Sequence, residues 1–211
     1  MSDEPDWLVF FQNRERLHAE ACLALAQKNA RPDPVAHDRL EADIGNLLKA
    51  AAWLWEQQDQ HDTLMLADAL WVESDFLRSR GLIQRAVPLL EHARAAARQT
   101  GDPSAEFTWL EALGFVHYAT GNHSPALSHY EQALALAEQI NEPGQKAEAQ
   151  LGLGRIQVDL GQLETAESLL RAALDGYRQS HDQKGEISAL VALGVLSSLQ
   201  GDPSGATAYL E

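Results

Sequence analysis

The run Leu113-Gly-Phe-Val-His-Tyr-Ala-Thr-Gly121-Asn-His-Ser-Pro-Ala126-Leu-Ser-His-Tyr130-Glu-Gln-Ala133 returns 40 residues later as Leu153-Gly-Arg-Ile-Gln-Val-Asp-Leu-Gly161-Gln-Leu-Glu-Thr-Ala166-Glu-Ser-Leu-Leu170-Arg-Ala-Ala173. Both copies hold a Leu-Gly pair, a glycine, an alanine, a bulky residue and a second alanine in one register. Working outward, the glycine recurs at Gly81 and Gly201, the first alanine at Ala86 and Ala206, and the bulky residue at Leu90 and Leu210. The second alanine recurs at Ala93, and the Leu-Gly pair at Leu193-Gly194. A fixed period of this length marks a repeat array, in which each unit buries its apolar face only against its neighbours.

Between the glycines the apolar residues fall at helical spacing, as in Ala166, Leu169, Leu170, Ala173, Leu174 and Tyr177. Asp33-Pro34, Asp102-Pro103, Ser124-Pro125 and Asp202-Pro203 each place a capping side chain before a proline suited to the first helical position. The four turn glycines stand where the first helix of a pair ends and the chain reverses through positive φ. The spacing predicts ten helices, over 5–29, 34–58, 61–80, 83–99, 103–120, 124–140, 143–160, 163–180, 183–200 and 203–211. Short connections make neighbours antiparallel hairpins. Gly114, Gly154 and Gly194 lie inside first helices, where glycine costs about 1 kcal/mol against alanine. Its recurrence at one register predicts close helix–helix approach.

Composition narrows the function. The chain of 211 residues carries 31 acidic and 16 basic residues, a net charge of −15. Nucleic-acid binding depends on neutralising phosphates with Lys and Arg, so this balance argues against it. The single cysteine, Cys22, excludes an internal disulfide framework and suggests a reducing compartment. The acidic start lacks the plan of a signal peptide, and no apolar run approaches the ~20 residues of a membrane span. The expectation is a soluble, cytoplasmic protein.

The repeated residues resemble the tetratricopeptide repeat in its form of about 40 residues per unit. The resemblance covers Leu64 to Glu211, closest over 107–200 and weaker in 61–100, where Glu73-Ser74 replaces Leu-Gly. It implies an all-α, right-handed superhelical solenoid whose first helices line a concave groove. The expected organisation is an atypical helix pair over 1–60, then repeats at 61–100, 101–140, 141–180 and a truncated 181–211. Leu40-Glu-Ala-Asp-Ile-Gly-Asn-Leu-Leu-Lys-Ala-Ala-Ala-Trp53 and Leu66-Ala-Asp-Ala-Leu-Trp71 resemble the segment opening the sensor arrays of large bacterial signalling ATPases that regulate transcription. That likeness implies a sensor or interaction segment of a larger regulator. Nothing carries over of the ATPase parts.

Chemistry is not written in the motifs. Leu151-Gly-Leu-Gly-Arg155 lacks the Lys-Ser/Thr and strand of a phosphate loop, and its glycines belong to the repeat. None of the eight histidines pairs with another three or four residues away on one helix, so no metal site is expected. Cys22 lies on an apolar face and reads as a small buried hydrophobe, with no local His/Asp arrangement to activate it. No enzyme activity and no cofactor are expected.

What remains is the groove. The register places Trp71, Asp75 and Arg78 on the concave side, then Glu111, Phe115 and Tyr118, then Arg155, Val158 and Asp159, then Val191 and Val195. Aromatics beside arginine are the residue types that dominate binding hot spots, although Trp71 and Phe115 also suit gap-filling between helices. A protein or peptide is the expected partner. Alternatives are a free-standing adaptor and a small-molecule sensor. Ala206 and Leu210 would face a missing neighbour, which suggests self-association through the C-terminal end.

Overall fold

The computed structural model describes residues 7–202 together with 205, 207 and 209, and among these there are ten α-helices and no strand. The chain divides into two compact units, Met1–Asp102 and Pro103–Glu211. The helices of 61–100 thus share a unit with the N-terminal pair.

In the first unit, α1 (Trp7–Lys28) and α2 (Pro34–Glu56) precede α3 (Gln60–Ala67), a π-helical turn (Asp68–Glu73), α4 (Phe76–Ser79) and α5 (Ile83–Thr100). Asp33 caps α2, its carboxylate accepting from the Val35 N–H at 3.1 Å, with Pro34 in the first helical turn. Leu40, Leu47, Leu66, Leu70, Phe76 and Leu77 form a solvent-free core. Pro88 lies within α5, past its first turn, so it forfeits one backbone bond.

The helix expected over 61–80 is broken, and the cause is Ser74, at the position that later repeats fill with glycine. Its hydroxyl donates to the Ala69 carbonyl at 2.6 Å, five residues back, and accepts from the Phe76 N–H at 3.3 Å. The widened turn hands the chain to Asp75 in the left-handed region, φ 55°. Buried His37 of α2 fastens the break. Its Nε2 bonds the Ser74 carbonyl at 2.8 Å, its Nδ1 meets the Ser79 hydroxyl at 3.1 Å, and its ring meets Phe76 edge-on at 5.6 Å. These contacts fit Nε2 as donor and Nδ1 as acceptor.

The second unit holds α6 (Pro103–Ala119), α7 (His123–Ile140), α8 (Pro143–Asp159), α9 (Leu163–Ser180) and α10 (Gln183–Leu199). Helix α7 starts at His123, so Ser124 lies inside it and not at its cap, and Pro125 takes a first-turn position that needs no N–H. Of the helix expected over 203–211 only three residues are described, and Ala206 and Leu210 lie outside them.

Each first helix ends in the same pair of backbone hydrogen bonds. The Asn122 N–H reaches the His117 carbonyl at 2.8 Å and the Gly121 N–H the Tyr118 carbonyl at 2.9 Å; Gln162 and Gly161 repeat this on Gln157 and Val158. This pattern needs a left-handed residue, and Gly121 and Gly161 supply it at φ 74° and 72°. The second helices end likewise, but there the left-handed residues are Gly101, Asn141 and His181.

The repeated small residues are the packing surface. Ala86, Ala126, Ala166, Ala93, Ala133 and Ala173 are all fully buried. A Cβ on Gly114 would stand 2.8 Å from Tyr130 Cε2, and one on Gly154 2.6 Å from Leu170 Cδ2. In these two repeats the bulky residue of the second helix fills the space left by the glycine of the first.

Candidate functional site

First helices α6, α8 and α10 place their outward side chains around two clefts. One, of about 260 Å³, is walled by Glu111 and Phe115 of α6, Glu148, Leu151 and Arg155 of α8, and Ser188 of α10. Its floor is Tyr130 and Tyr177, whose rings pass the bare backbones of Gly152 and Gly185. The other, of about 160 Å³, is bounded by Tyr118, Arg155, Val158, Asp159, Val191 and Val195. Arg155 borders both, and no acidic side chain among the described residues lies within 4.0 Å of it in an ion pair.

The electrostatics are mixed. Glu111, Glu148 and Asp182 against Lys184 and Arg155 line the first cleft, with Asp159 at the second. Burial, then the adjacent Asp159 carboxylate, push the Tyr118 phenol up, while Arg155 opposes them. Tyr130 and Tyr177 are also pushed up, chiefly by burial. All three phenols therefore stay protonated and remain available as hydrogen-bond donors.

The structure thus gathers five of the eight sequence candidates, Glu111, Phe115, Tyr118, Arg155 and Asp159, on one surface of the second unit. The other three form a separate group in the first unit. Trp71 is only 2% exposed, Arg78 lies over its ring at 5.3 Å, and Arg78 pairs with Asp75. Sequence reading missed Tyr130, Tyr177 and Glu148. The tyrosines sit on second helices and read as packing residues; the signal that could have exposed them was the glycine facing each ring, Gly152 and Gly185.

A larger cleft, about 510 Å³, opens between α1 and α2 beside Arg14, His18, Lys49 and Trp53. Its carboxylate, Glu15, is engaged by the Trp53 indole N–H at 2.9 Å, so it reads as a seam between two helices. Cys22 is buried, as expected, but His18 Nε2 does lie 3.9 Å from its sulfur. Burial, followed by the Asp43 charge, pushes the thiol up, the opposite of activation. Among the described residues no three His, Cys, Asp or Glu side chains are grouped to hold a metal, and no helix is long and apolar enough to cross a membrane.

Comparison with known proteins fits this geometry. Residues 66–139 and 147–175 match tetratricopeptide repeat families. Among solved structures, BtubC (BKLC) from P. vanneervenii superposes with a TM-score of 0.65 at 22% identity, over 82% of this chain and 70% of that one. The nearly identical TPR-like repeats described as a kinesin light chain of Podosopora anserina superpose with a TM-score of 0.59 at 18% identity, over 93% and 92%. At such identities the likeness is one of fold, and the fold is the all-α solenoid of helix hairpins. No curated protein matches the chain. With family matches that follow its 40-residue period and solved solenoids of the same fold, this chain carries tetratricopeptide repeats over 66–139 and 147–175, units that build scaffolds for protein–protein interaction.

Proposed function

We propose that the second unit binds a polypeptide segment along the clefts of α6, α8 and α10. The observation that carries this reading is the run of Glu111, Glu148, Arg155, Val158, Val191 and Val195 across three adjacent first helices. An extended segment would set a basic side chain near Glu111 and Glu148 and an aliphatic one against Val158, Val191 and Val195. Arg155, free of an ion pair, would donate to a backbone carbonyl between them. Each of these clefts is below the ~300–1,000 Å³ usual for small-molecule sites, which favours a chain lying across both. Within a larger bacterial regulator, as the likeness of residues 40–53 and 66–71 implies, such binding in the cytoplasm would be the sensory input. Trp71, Asp75 and Arg78 would then serve the first unit as a braced surface, with Arg78 presented by the Trp71 ring.

Selection of peptides from a random displayed library on the purified chain tests this. Enriched sequences should pair Lys or Arg with an aliphatic residue. Their affinity should fall at least tenfold on combining Glu111→Gln with Glu148→Gln, and again on Val158→Asp. No enrichment, or binding indifferent to these changes, would overturn the reading.

A further inference from the structure

We infer that the cleft over Tyr130 and Tyr177 receives an arginine side chain, which the two phenol hydroxyls select over lysine. The inference rests on the peptide-binding reading above and names the basic residue that reading leaves open.

Tyr130 and Tyr177 are each only 4% exposed, yet both line the cleft. The Tyr130 ring threads between α6 and α8, its Cζ standing 3.0 Å from a would-be Cβ on Gly114 and 2.5 Å from one on Gly152. The hydroxyl on that carbon therefore emerges between two backbones. Tyr177 arrives from α9 with the edge of its ring against bare Gly185 of α10. Neither hydroxyl has a hydrogen-bond partner among the described residues, and neither oxygen is sealed from the cleft. The repeat does not need these hydroxyls to pack. Its equivalent positions hold Leu90 and Leu170 for Tyr130, and Ala97 and Ala137 for Tyr177. Two phenols left unpaired at the floor of a cleft serve what enters it.

Charge and donor number decide what that is. Glu111, Glu148 and Asp182 line the cleft against Arg155 and Lys184, so its wall is one cation short of neutral. After burial, the Glu111 carboxylate acts most strongly on the Tyr130 phenol and the Glu148 carboxylate on that of Tyr177; both push upward, and Arg155 opposes them. The field at both oxygens is thus negative and favours a cation that donates to them. Asp182 already caps α10, accepting from the Lys184 and Gly185 N–H groups at 3.0 Å. The acceptors facing an incoming side chain are then Glu111, Glu148 and the two phenol oxygens. An ammonium has three donors about one point, too few for all of these. A guanidinium spreads five over a plane, and its flat face suits the Phe115 ring on the wall.

The peptides selected as above should be resynthesised with Arg, Lys or citrulline at the basic position. They should be titrated calorimetrically against the full chain and against the double variant Tyr130→Phe with Tyr177→Phe, alongside N-acetyl-arginine amide and its lysine counterpart. Arginine should bind roughly tenfold more tightly than lysine, and neutral citrulline more weakly than either. The double variant keeps both rings, so its helical circular dichroism should be unchanged. It should bring arginine down to the level of lysine and leave lysine where it was. Lysine equal to arginine, or arginine unmoved by the double variant, would overturn the inference and leave the peptide reading standing. If no peptide is selected, an N-acetyl-arginine amide that binds the chain and is lost from the double variant would uphold the inference without that reading. An amide that does not distinguish the two proteins would overturn it.

Discussion

The ring of Tyr130 occupies the space that a side chain on Gly152 would need: a Cβ there would stand 2.5 Å from Tyr130 Cζ. The ring is buried against Gly114 on its other side, so it has nowhere to move. Gly152→Ala would gain about 1 kcal/mol of helix propensity and lose about 1–3 kcal/mol to overpacking. Urea unfolding should show a net loss of up to about 2 kcal/mol. Gly45, inside α2 with nothing within 4 Å of its would-be Cβ, is the control. Gly45→Ala should stabilise by roughly 0.5–1 kcal/mol. Equal effects at both sites would refute the close-approach account.

Ala126 and Ala166 are fully buried at the same repeat position. Arginine at either must force the hairpin apart or bury its charge, a loss of about 3 kcal/mol or more. An unchanged melting temperature for Ala126→Arg or Ala166→Arg would contradict the packing described above.

His37 bridges α2 to the break at Ser74. Removing the imidazole strands the buried Ser74 carbonyl and opens a cavity beside Phe76, so His37→Ala should cost about 3 kcal/mol. Hydrogen exchange should show faster opening of 68–79. Exchange that stays at wild-type rates there would mean that the turn is held by Ser74 alone.

Asp68, at the start of the π-helical turn, has its carboxyl raised to about 6, first by burial and then by the Glu73 charge. A raised carboxyl means that the folded state holds the proton more tightly than the unfolded chain. The benefit is fully present below about pH 4 and is lost as pH rises through about 6. The group is only partly buried, so solvent screening limits the effect to the order of 1 kcal/mol. Asp68→Asn should therefore stabilise the protein at pH 7.5 and leave it unchanged at pH 4. A gain of equal size at both pH values would show that charge is not the cause.

Much of this molecule was legible in its sequence. The 40-residue period located the hairpins, the buried alanines and the glycine–bulky-residue pairs, because a solenoid repeats its local contacts and each repeated contact leaves its mark at a fixed offset. The second set of reversals was harder to read. Gly101, Asn141 and His181 share one left-handed conformation but not one residue type, since polar residues tolerate that region well enough to replace glycine there.

The tertiary structure decided which other side chains join the surface and which leave it. Glu111, Phe115, Tyr118, Arg155 and Asp159 share an outward register, and their meeting was readable from the period. Trp71 shares that register too, yet the π-helical turn rotates it into the core, because a serine hydroxyl bonding five residues back adds a residue to one turn. Tyr130 and Tyr177 reach the clefts only because Gly152 and Gly185, on neighbouring helices, let their rings pass. A one-dimensional pattern fixes which face of a helix is apolar, but which side chain reaches past a neighbour depends on the separation of two backbones, and that exists only once they have packed.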